Sequence, residues 1–543
     1  MFWFFRVVRG GLFWLYVWQL KEYHLGRFLD YFATERGRRG LFHPIQLAKL
    51  VLASAFFLAP EFAFSLFLLS VLLYGVEFAK AIRDALKGVL VMPVWTKKTL
   101  VLLVLIVAVV FFYFWVWSWV SKSVFLAFPY LLLFDGAIPA IVSGIVLFAQ
   151  PIAVWHRATV IKRAQAKREQ LPALKVIGIT GSYGKTSTKE FVSAILKKRF
   201  RVAKTKEHQN SEIGVARALL YDVSAQDEVF VCEMGAYNRN GIAYLSDIVR
   251  PQIAVLTGAN EQHLSLFGSM ENLMSAEGGE ELVQAIPERA SVIVNFGSEK
   301  LREYLPKYKK TYVRKYVLCS ADRTHDETKE NWAQEQSDLW AEDVRIEKER
   351  VSFRVVTKEG ERAEITANLI GSHNVENLLL AIAAAKEMGM ALEEIASAIS
   401  EFTPQMGTMQ LRKGTQGLNV IDSTYSANPD GVLSGLDYLK IWEGKKAIVL
   451  PSLIELGSAA KEAHERIGEK IAEVCDLAIV TTEDNFDDVK RGALKRGMAP
   501  QNILLIEDAK RVIGEIASRM QEGDVVLLAG GRSTPSIISA IIG

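Results

Sequence analysis

With 543 residues the chain has room for about three domains on the usual scale of ~150 residues each. Half of it is hydrophobic, and a formal charge of only +3 gives no case for a nucleic-acid partner. Cys232, Cys319 and Cys475 lack C-x-x-C spacing, which fits a reduced compartment without a cysteine metal site.

The apolar residues are concentrated before residue 156. The first twenty are aromatic-rich but interrupted by Arg6 and Arg9, and two readings stay open, an interfacial helix or an extra span. No small-residue cleavage pattern of a signal peptide follows. Leu41 to Ala59 and Phe62 to Ala79, separated by Pro60-Glu61, read as a helical hairpin. Leu100 to Val120 is uncharged throughout, and ~20 such residues cross a bilayer core. Val124 to Val154 carries Pro129, Asp135, Gly136 and Pro139 and is expected to be broken or tilted. Asp135 has two readings, a functional intramembrane charge or a carboxylate at a helix break near the interface. Basic residues cluster at Arg36, Arg38 and Arg39, at Lys80 to Lys98, and from Arg157 to Arg168. Four crossings place all three clusters on one side, the cytoplasmic one by the positive-inside rule. The expectation is a multi-pass protein of the cytoplasmic membrane, in contact with lipid, with its later domains in the cytoplasm.

The basic segment reads as a solvated helix ended by Leu171-Pro172. Strand-like runs then alternate with helical patterns, at Lys175 to Thr180, Val229 to Cys232, Ile253 to Leu256 and Ser291 to Val294, as in a parallel sheet covered by helices. Lys307 to Glu342 reads as polar and irregular, Val344 to Val356 and Glu361 to Leu369 as a hairpin, and Asn374 to Met388 as a helix. Thr403 to Gly407 marks a boundary. Beyond it a smaller α/β domain has strands near Asn419, Lys446, Leu477, Ile503 and Val525. The domains expected are therefore 1–156 (membrane helices), 157–171 (basic linker), 172–405 (central) and 406–543 (C-terminal).

The chemistry begins at Val176-Ile-Gly-Ile-Thr-Gly-Ser-Tyr-Gly-Lys-Thr-Ser-Thr188, an apolar strand running into a glycine loop that opens a helix. Such a loop turns backbone N–H groups toward a phosphate, the helix N-terminus adds positive potential, Lys185 supplies a cation, and the Thr186 hydroxyl can reach magnesium. The spacing is the short form T-G-x-x-G-K-T-S-T. The metal needs an acidic partner at a neighbouring strand end, where Glu233 stands; an N-cap or turn carboxylate is the alternative. His263 taken alone is equally well a surface histidine.

In order come T-G-x-x-G-K-T-S-T, N-S-E-I-G at Asn210, E-M-G-A at Glu233, H-L-x-x-F-G-S at His263, G-S-H-N-V-x-N before Asn377, I-D-x-x-Y-x-A-N-P at Asp422, and I-E-L-G with a later His464. This series resembles the Mur ligase family, and within it the MurF type, from about Lys175 to the C-terminus. The resemblance implies a central P-loop ATPase domain with a parallel sheet and a Rossmann-like C-terminal α/β domain. It also implies an ATP- and Mg²⁺-dependent amide ligase that phosphorylates a carboxylate for attack by an amine. Its substrates would be a UDP- or lipid-linked muropeptide and an amino acid or dipeptide. Carried over, Gly181, Ser182, Gly184, Lys185, Thr186 and Ser187 would hold phosphates and one magnesium, and Glu233 and His263 would serve the metals. Asn374 and Asn377 would line the adenine side, and Asp422, Tyr425 and Asn428 would close over nucleotide and substrate.

Several positions depart from the family. Its carbamylated lysine, which helps hold a second magnesium, falls on Glu277, already a carboxylate; the alternative is an exposed helix-end glutamate. The G-R-M run is Gly407-Thr408-Met409, with Arg412 nearby as a substitute; Gly258 replaces an asparagine, with Asn260 close by; a lysine is missing from Leu528-Ala-Gly-Gly-Arg-Ser533. Membrane helices stand where MurF-type enzymes carry a UDP-sugar domain, which points to a membrane-confined acceptor. Two other readings are a poly-γ-glutamate-type membrane ligase and a nucleotide-binding scaffold without catalysis.

Overall fold

The computed structural model describes residues 1–543 except 22, 33–36, 39, 41–42, 87–89, 121–123, 208, 322–335, 407–408, 426–427, 531–536, 538–540 and 542–543. The chain forms two compact units, Met1–His156 and Arg157–Gly543.

In the first unit the expected hairpin is present. Pro44–Leu58 starts with proline at a first-turn position, where its missing N–H costs nothing, and His43 Nδ1 caps Ile45 N at 3.2 Å. Pro60–Phe62 forms a single 3₁₀ turn, and Ala63–Leu86 returns. The expectation of four crossings is corrected. Among the described residues three helices are long and apolar enough to cross a membrane, Pro60–Leu86, Lys97–Trp117 and Phe128–Glu169. Pro44–Leu58 has 15 residues, which at 1.5 Å each fall short of a ~30 Å hydrocarbon core. The expected break after Val124 is also absent: Val124–Glu169 is one helix with Pro129, Pro139 and Pro151 inside it. Each proline removes a single amide donor, and more than two uninterrupted turns separate them, so the hydrogen-bond ladder resumes each time.

Phe2–Leu20 is a helix whose Trp3, Val7, Trp14, Leu15 and Trp18 are buried in the unit's core. It is therefore not a helix lying on the outside of this unit. Its arginines are paired, Arg6 with Glu77 at 3.0 Å and Arg9 with Asp84 at 3.0 Å. Asp135 is 1% exposed and ion-paired with Lys49, which places it inside the bundle rather than at a helix break near an interface.

The second unit holds two sheets. The larger contains β1 (Lys175–Thr180), β2 (Val202–Lys204), β3 (Val229–Glu233), β4 (Ile253–Leu256), β5 (Ser291–Asn295), β6 (Lys315–Ala321), β7 (Leu339–Ile346), β8 (Val351–Thr357) and β9 (Arg362–Ala367), in the order β2-β3-β1-β4-β5-β6-β7-β8-β9. β2 through β7 pair in parallel, and β7, β8 and β9 are antiparallel. The chain runs from β1 outward to β2 and β3 on one side, then crosses to β4 on the other. A crevice opens at such a switch point, beyond the carboxyl ends of the strands. The described part of Lys307 to Glu342 is not irregular: it contains the end of the helix Glu299–Thr311, all of β6 and the start of β7, while 322–335 lie outside the described residues. The expected hairpin is present as β8 paired antiparallel with β9, but the run Val344 to Val356 also spans the turn from β7 into β8, so β7 adds a third strand.

The basic segment after Arg157 is not simply solvated. Val160, Ile161 and Ala164 are buried in the core on one face of the larger sheet, and Arg168 donates to the carbonyls of Val249 and Leu171, both at 2.6 Å. It belongs to the second unit rather than forming a free linker. The smaller sheet contains β10 (Gln410–Lys413), β11 (Asn419–Ser423), β12 (Lys446–Leu450), β13 (Leu477–Val480), β14 (Ile503–Leu505) and β15 (Val525–Ala529), ordered β10-β11-β15-β12-β13-β14. Five of these strands lie where the sequence places them; the antiparallel edge strand β10 is additional.

The buried Glu281 ties the helix Gly241–Val249 to this frame. Its carboxylate accepts from the amides of Asn240, Ile242 and Ala243 at 2.7–3.0 Å, satisfying N-terminal donors that have no partner within their own helix. Glu281→Ala is expected to cost about 3 kcal/mol, because buried amides are left unpaired. The shift of the urea unfolding midpoint of the full chain in detergent measures it.

Candidate active site

A cavity of about 790 Å³ lies in the second unit, between the carboxyl ends of β1, β3 and β4 and the first turns of the C-terminal domain. Ser182 through Ser187 form its floor. Gly184 sits immediately before the helix Lys185–Leu196 at φ +76°, and a Cβ there would lie 2.6 Å from Asn377 Oδ1, so only glycine fits. The Lys185 ammonium bends back over the loop to the carbonyls of Gly181 and Ser182.

Glu233, at the end of β3, collects three groups. Oε1 accepts from Thr186 Oγ1 at 3.2 Å and Asn210 Nδ2 at 3.0 Å, while Lys189 Nζ lies 3.2 Å from Oε2. The N-S-E-I-G run thus serves to aim Asn210, and Ser211 caps the short helix that follows. Lys189 is fully buried and was missed in the sequence. The signal was its place four residues after Lys185, on the same helical face.

A second group stands on the other side of the loop. Glu277 Oε2 accepts from Ser182 Oγ at 2.8 Å, and Oε1 lies 3.0 Å from His263 Nδ1. His263 Nε2 faces Glu455 Oε2 of the I-E-L-G run at 3.7 Å. Glu277 does end a helix, but it is 2% exposed, not on the surface. Burial opposes its ionisation, yet His263, Lys185 and Ser182 together hold its carboxyl below the ordinary 4.5. His263 adopts φ +66°, a left-handed conformation uncommon outside glycine, and turns both ring nitrogens toward carboxylates. In this geometry it orients Glu277. Among the described residues no three His, Cys, Asp or Glu side chains form a cluster that would hold a metal. The oxygen donors instead fall into two places, Thr186 with Glu233 and Ser182 with Glu277. Hydroxyl and carboxylate are the ligands magnesium takes.

The remaining expected residues divide. Asn377 lines the cavity but packs on the phosphate loop, accepting from Thr188 Oγ1 at 3.3 Å. Asn374 lies behind it, fully buried on the Ile370 carbonyl. Tyr425 lines the cavity and contacts Thr186; burial nonetheless holds its phenol above 10.0. Asn428 lines it too and caps the helix Pro429–Leu439. Asp422 does not line it; its carboxylate bonds Thr424 Oγ1 at 2.7 Å and lies 3.4 Å from Arg412. Arg412 is thus drawn to Asp422 and does not replace a cavity arginine. Arg466, which lines the cavity with Lys300, was also missed. His464 is buried, accepting from Leu453 N at 2.9 Å, and burial lowers its imidazole below 6.5. Gly258 cannot carry the expected asparagine side chain, because the Tyr183 ring fills the place of its Cβ. Asn260 instead reaches Asp430 at 2.8 Å, joining the two domains together with His373 to Ser434 at 2.9 Å and Ser265 N to the Glu455 carbonyl at 3.2 Å. Gly407, Thr408 and Gly531 to Ser533 lie outside the described residues.

The sequence model of the Mur ligase middle domain matches residues 179–385, and that of the Mur ligase, glutamate ligase domain matches 407–532. The UDP-N-acetylmuramoyl-tripeptide–D-alanyl-D-alanine ligase of Mycobacterium tuberculosis is 30% identical over 395 residues, covering 68% of this chain and 73% of that one. The crystal structure of the Thermotoga maritima MurF ligase in complex with ADP superimposes with a TM-score of 0.59 at 25% identity, over 71% of this chain and 83% of that one. MurF from Acinetobacter baumannii shares the fold, with a TM-score of 0.61 at 23% identity over 71% and 80%. The chain belongs to the Mur ligase family of ATP-dependent, ADP-forming ligases.

Proposed function

We propose that this protein is a membrane-anchored amide ligase of peptidoglycan precursor synthesis, joining an amino acid or dipeptide amine to the peptide carboxylate of a UDP- or lipid-linked muropeptide. The observation that carries the reading is the pair of oxygen sites, Thr186–Glu233 and Ser182–Glu277, set on either side of one phosphate loop. The names of the relatives supply the substrate class, since they are ligases of D-alanyl-D-alanine to a UDP-linked muramoyl tripeptide. The anchor is supported by three long apolar helices and by large apolar side chains on their outer faces, such as Leu72, Phe112 and Phe148. Basic residues flanking these helices favour a cytoplasmic catalytic unit.

In this reading the amides of residues 181–186 and the Lys185 ammonium receive the phosphates of ATP. Magnesium held by Thr186 and Glu233, and a second ion held by Glu277, would offset charge on the transferring group. A carboxylate is a poor electrophile, and phosphorylation gives it a leaving group. Arg466 and Lys300 face the same space and would bind the incoming carboxylates, while Tyr425 and Asn428 close the nucleotide side. The partly buried Asp430, whose carboxyl burial raises above 3.8, lines the same cavity and would attract the amine.

Detergent-purified protein should release ADP only when both acceptor and amine are present. Lys185→Ala should lower that turnover by at least about a hundredfold, because the phosphoryl charge loses its cation. ATP binding without acceptor-dependent turnover would instead favour a scaffold. The full chain should also remain in the membrane pellet after carbonate extraction; its release would remove the anchor from the proposal.

Glu277 provides a permanent carboxylate, so turnover should be unchanged in buffer stripped of carbon dioxide and bicarbonate. Glu277→Gln should lower kcat with little change in nucleotide affinity. At neutral pH it should also cost about 1–3 kcal/mol of stability through its lost charge-assisted bonds. The Glu277 carboxyl is held below 4.5, so its contribution is complete above that value and is lost as pH falls through the depressed one. Urea unfolding of wild type and variant should therefore converge below pH 4.5.

A further inference from the structure

The first unit contains a cavity of about 400 Å³ that the ligase chemistry does not use. Its walls are partly apolar, from Phe13, Trp14, Leu50 and Ile138, and partly charged, from Arg6, Arg9, Glu77, Lys80 and Asp135. Behind it lies a buried ion network. Lys49, 1% exposed, is paired with Glu77 at 2.6 Å and with Asp135. Glu77 in turn receives Arg6 Nε at 3.0 Å. Such a network fixes the guanidinium, and ionisable groups at this depth of an apolar bundle mark function more often than stability.

The network leaves groups unsatisfied on the cavity side. Arg6 uses only Nε and Arg9 only Nη2, toward Asp84. Their other N–H groups, and the Lys80 ammonium, have no acceptor among the described residues. Asp135 Oδ1 and Gln46 Oε1, which also belong to lining residues, are buried without a hydrogen-bond partner among the described residues, Tyr74 and Lys49 both engaging Asp135 Oδ2. Asp135 Oδ1 lies 3.9 Å from Arg6 Nε, an ion-pair contact only. A ligand that satisfies this arrangement needs several anionic oxygens on one side, hydroxyl or amide donors beside them, and an apolar extension. A carboxylate has two oxygens for three cationic side chains; a phosphate has three and matches guanidinium forks.

We infer that this cavity binds the phosphate head of an amphiphile, with Arg6, Arg9 and Lys80 on the phosphate and Asp135 and Gln46 accepting from adjacent donors. The inference rests on the membrane reading above. Release by carbonate would overturn that reading, whereas the binding outcomes below concern the cavity alone.

The test titrates farnesyl phosphate into detergent-solubilised full chain by calorimetry, with ADP and magnesium saturating the nucleotide site. Farnesyl phosphate is expected to bind at least about tenfold more tightly than farnesol or inorganic phosphate, a difference of ~1.4 kcal/mol. Lys80→Gln is exposed and should leave the fold intact while weakening binding several-fold. Arg6→Lys, which keeps the charge but not the fork, should weaken it by about tenfold. Equal binding of farnesol would make the cavity an apolar slot and overturn the inference. Equal binding of inorganic phosphate would overturn the amphiphile. Unchanged affinity in both variants would place the ligand elsewhere and overturn the site.

Discussion

The carboxylate of Glu233 is the point on which the catalytic unit depends. It stands at the end of a fully buried strand, and its position is fixed from three directions by Thr186, Asn210 and Lys189. The first belongs to the phosphate loop, the second to a separate loop before a short helix, and the third to the helix that carries the loop. A buried carboxylate without partners would neutralise itself by taking a proton. A lysine beside one oxygen and two neutral donors on the other give it a defined orientation. The loop, the helix and the Asn210 segment are thereby held in one register.

What was legible in the sequence is what local spacing dictates. The phosphate loop was readable because glycine positions, a lysine and a threonine follow one another within a few residues. Glu233 was readable because a short apolar run ends in it. Of the four inner strands of the smaller sheet, β12, β13 and β15 are nearly continuous apolar runs, as strands buried on both faces must be. β6 and β7 were missed for the opposite reason: each has exposed or half-exposed positions along much of its length, and polar residues there masked the period. Depth was not legible either. Asn374 and Asn377 belong to one run, yet one faces the cavity and the other the core. Arg466 could not be read from a motif at all, since a helix far along the chain delivers it. Glu277 shows both sides: its carboxylate chemistry was evident, while its burial against Ser182 and His263 required the fold.

In the first unit the arginines of the opening helix made it look unfit for an apolar setting. Their partners, Glu77 and Asp84, lie some seventy residues on, and Lys49 and Asp135 are farther apart still. Charges that cancel over such separations are invisible to a sliding window. Hydropathy therefore misjudges helices like Phe2–Leu20, whose polar groups are satisfied inside the bundle.

The hydrogen bonds from Asn260 to Asp430, from His373 to Ser434 and from Ser265 to Glu455 join the two sheets of the catalytic unit across its cavity. At about 1 kcal/mol each, they favour the closed arrangement by roughly two orders of magnitude before apolar contacts are added. A ligand that touched both domains would add its own contacts to these three bonds, and parting the domains to release it would break them together.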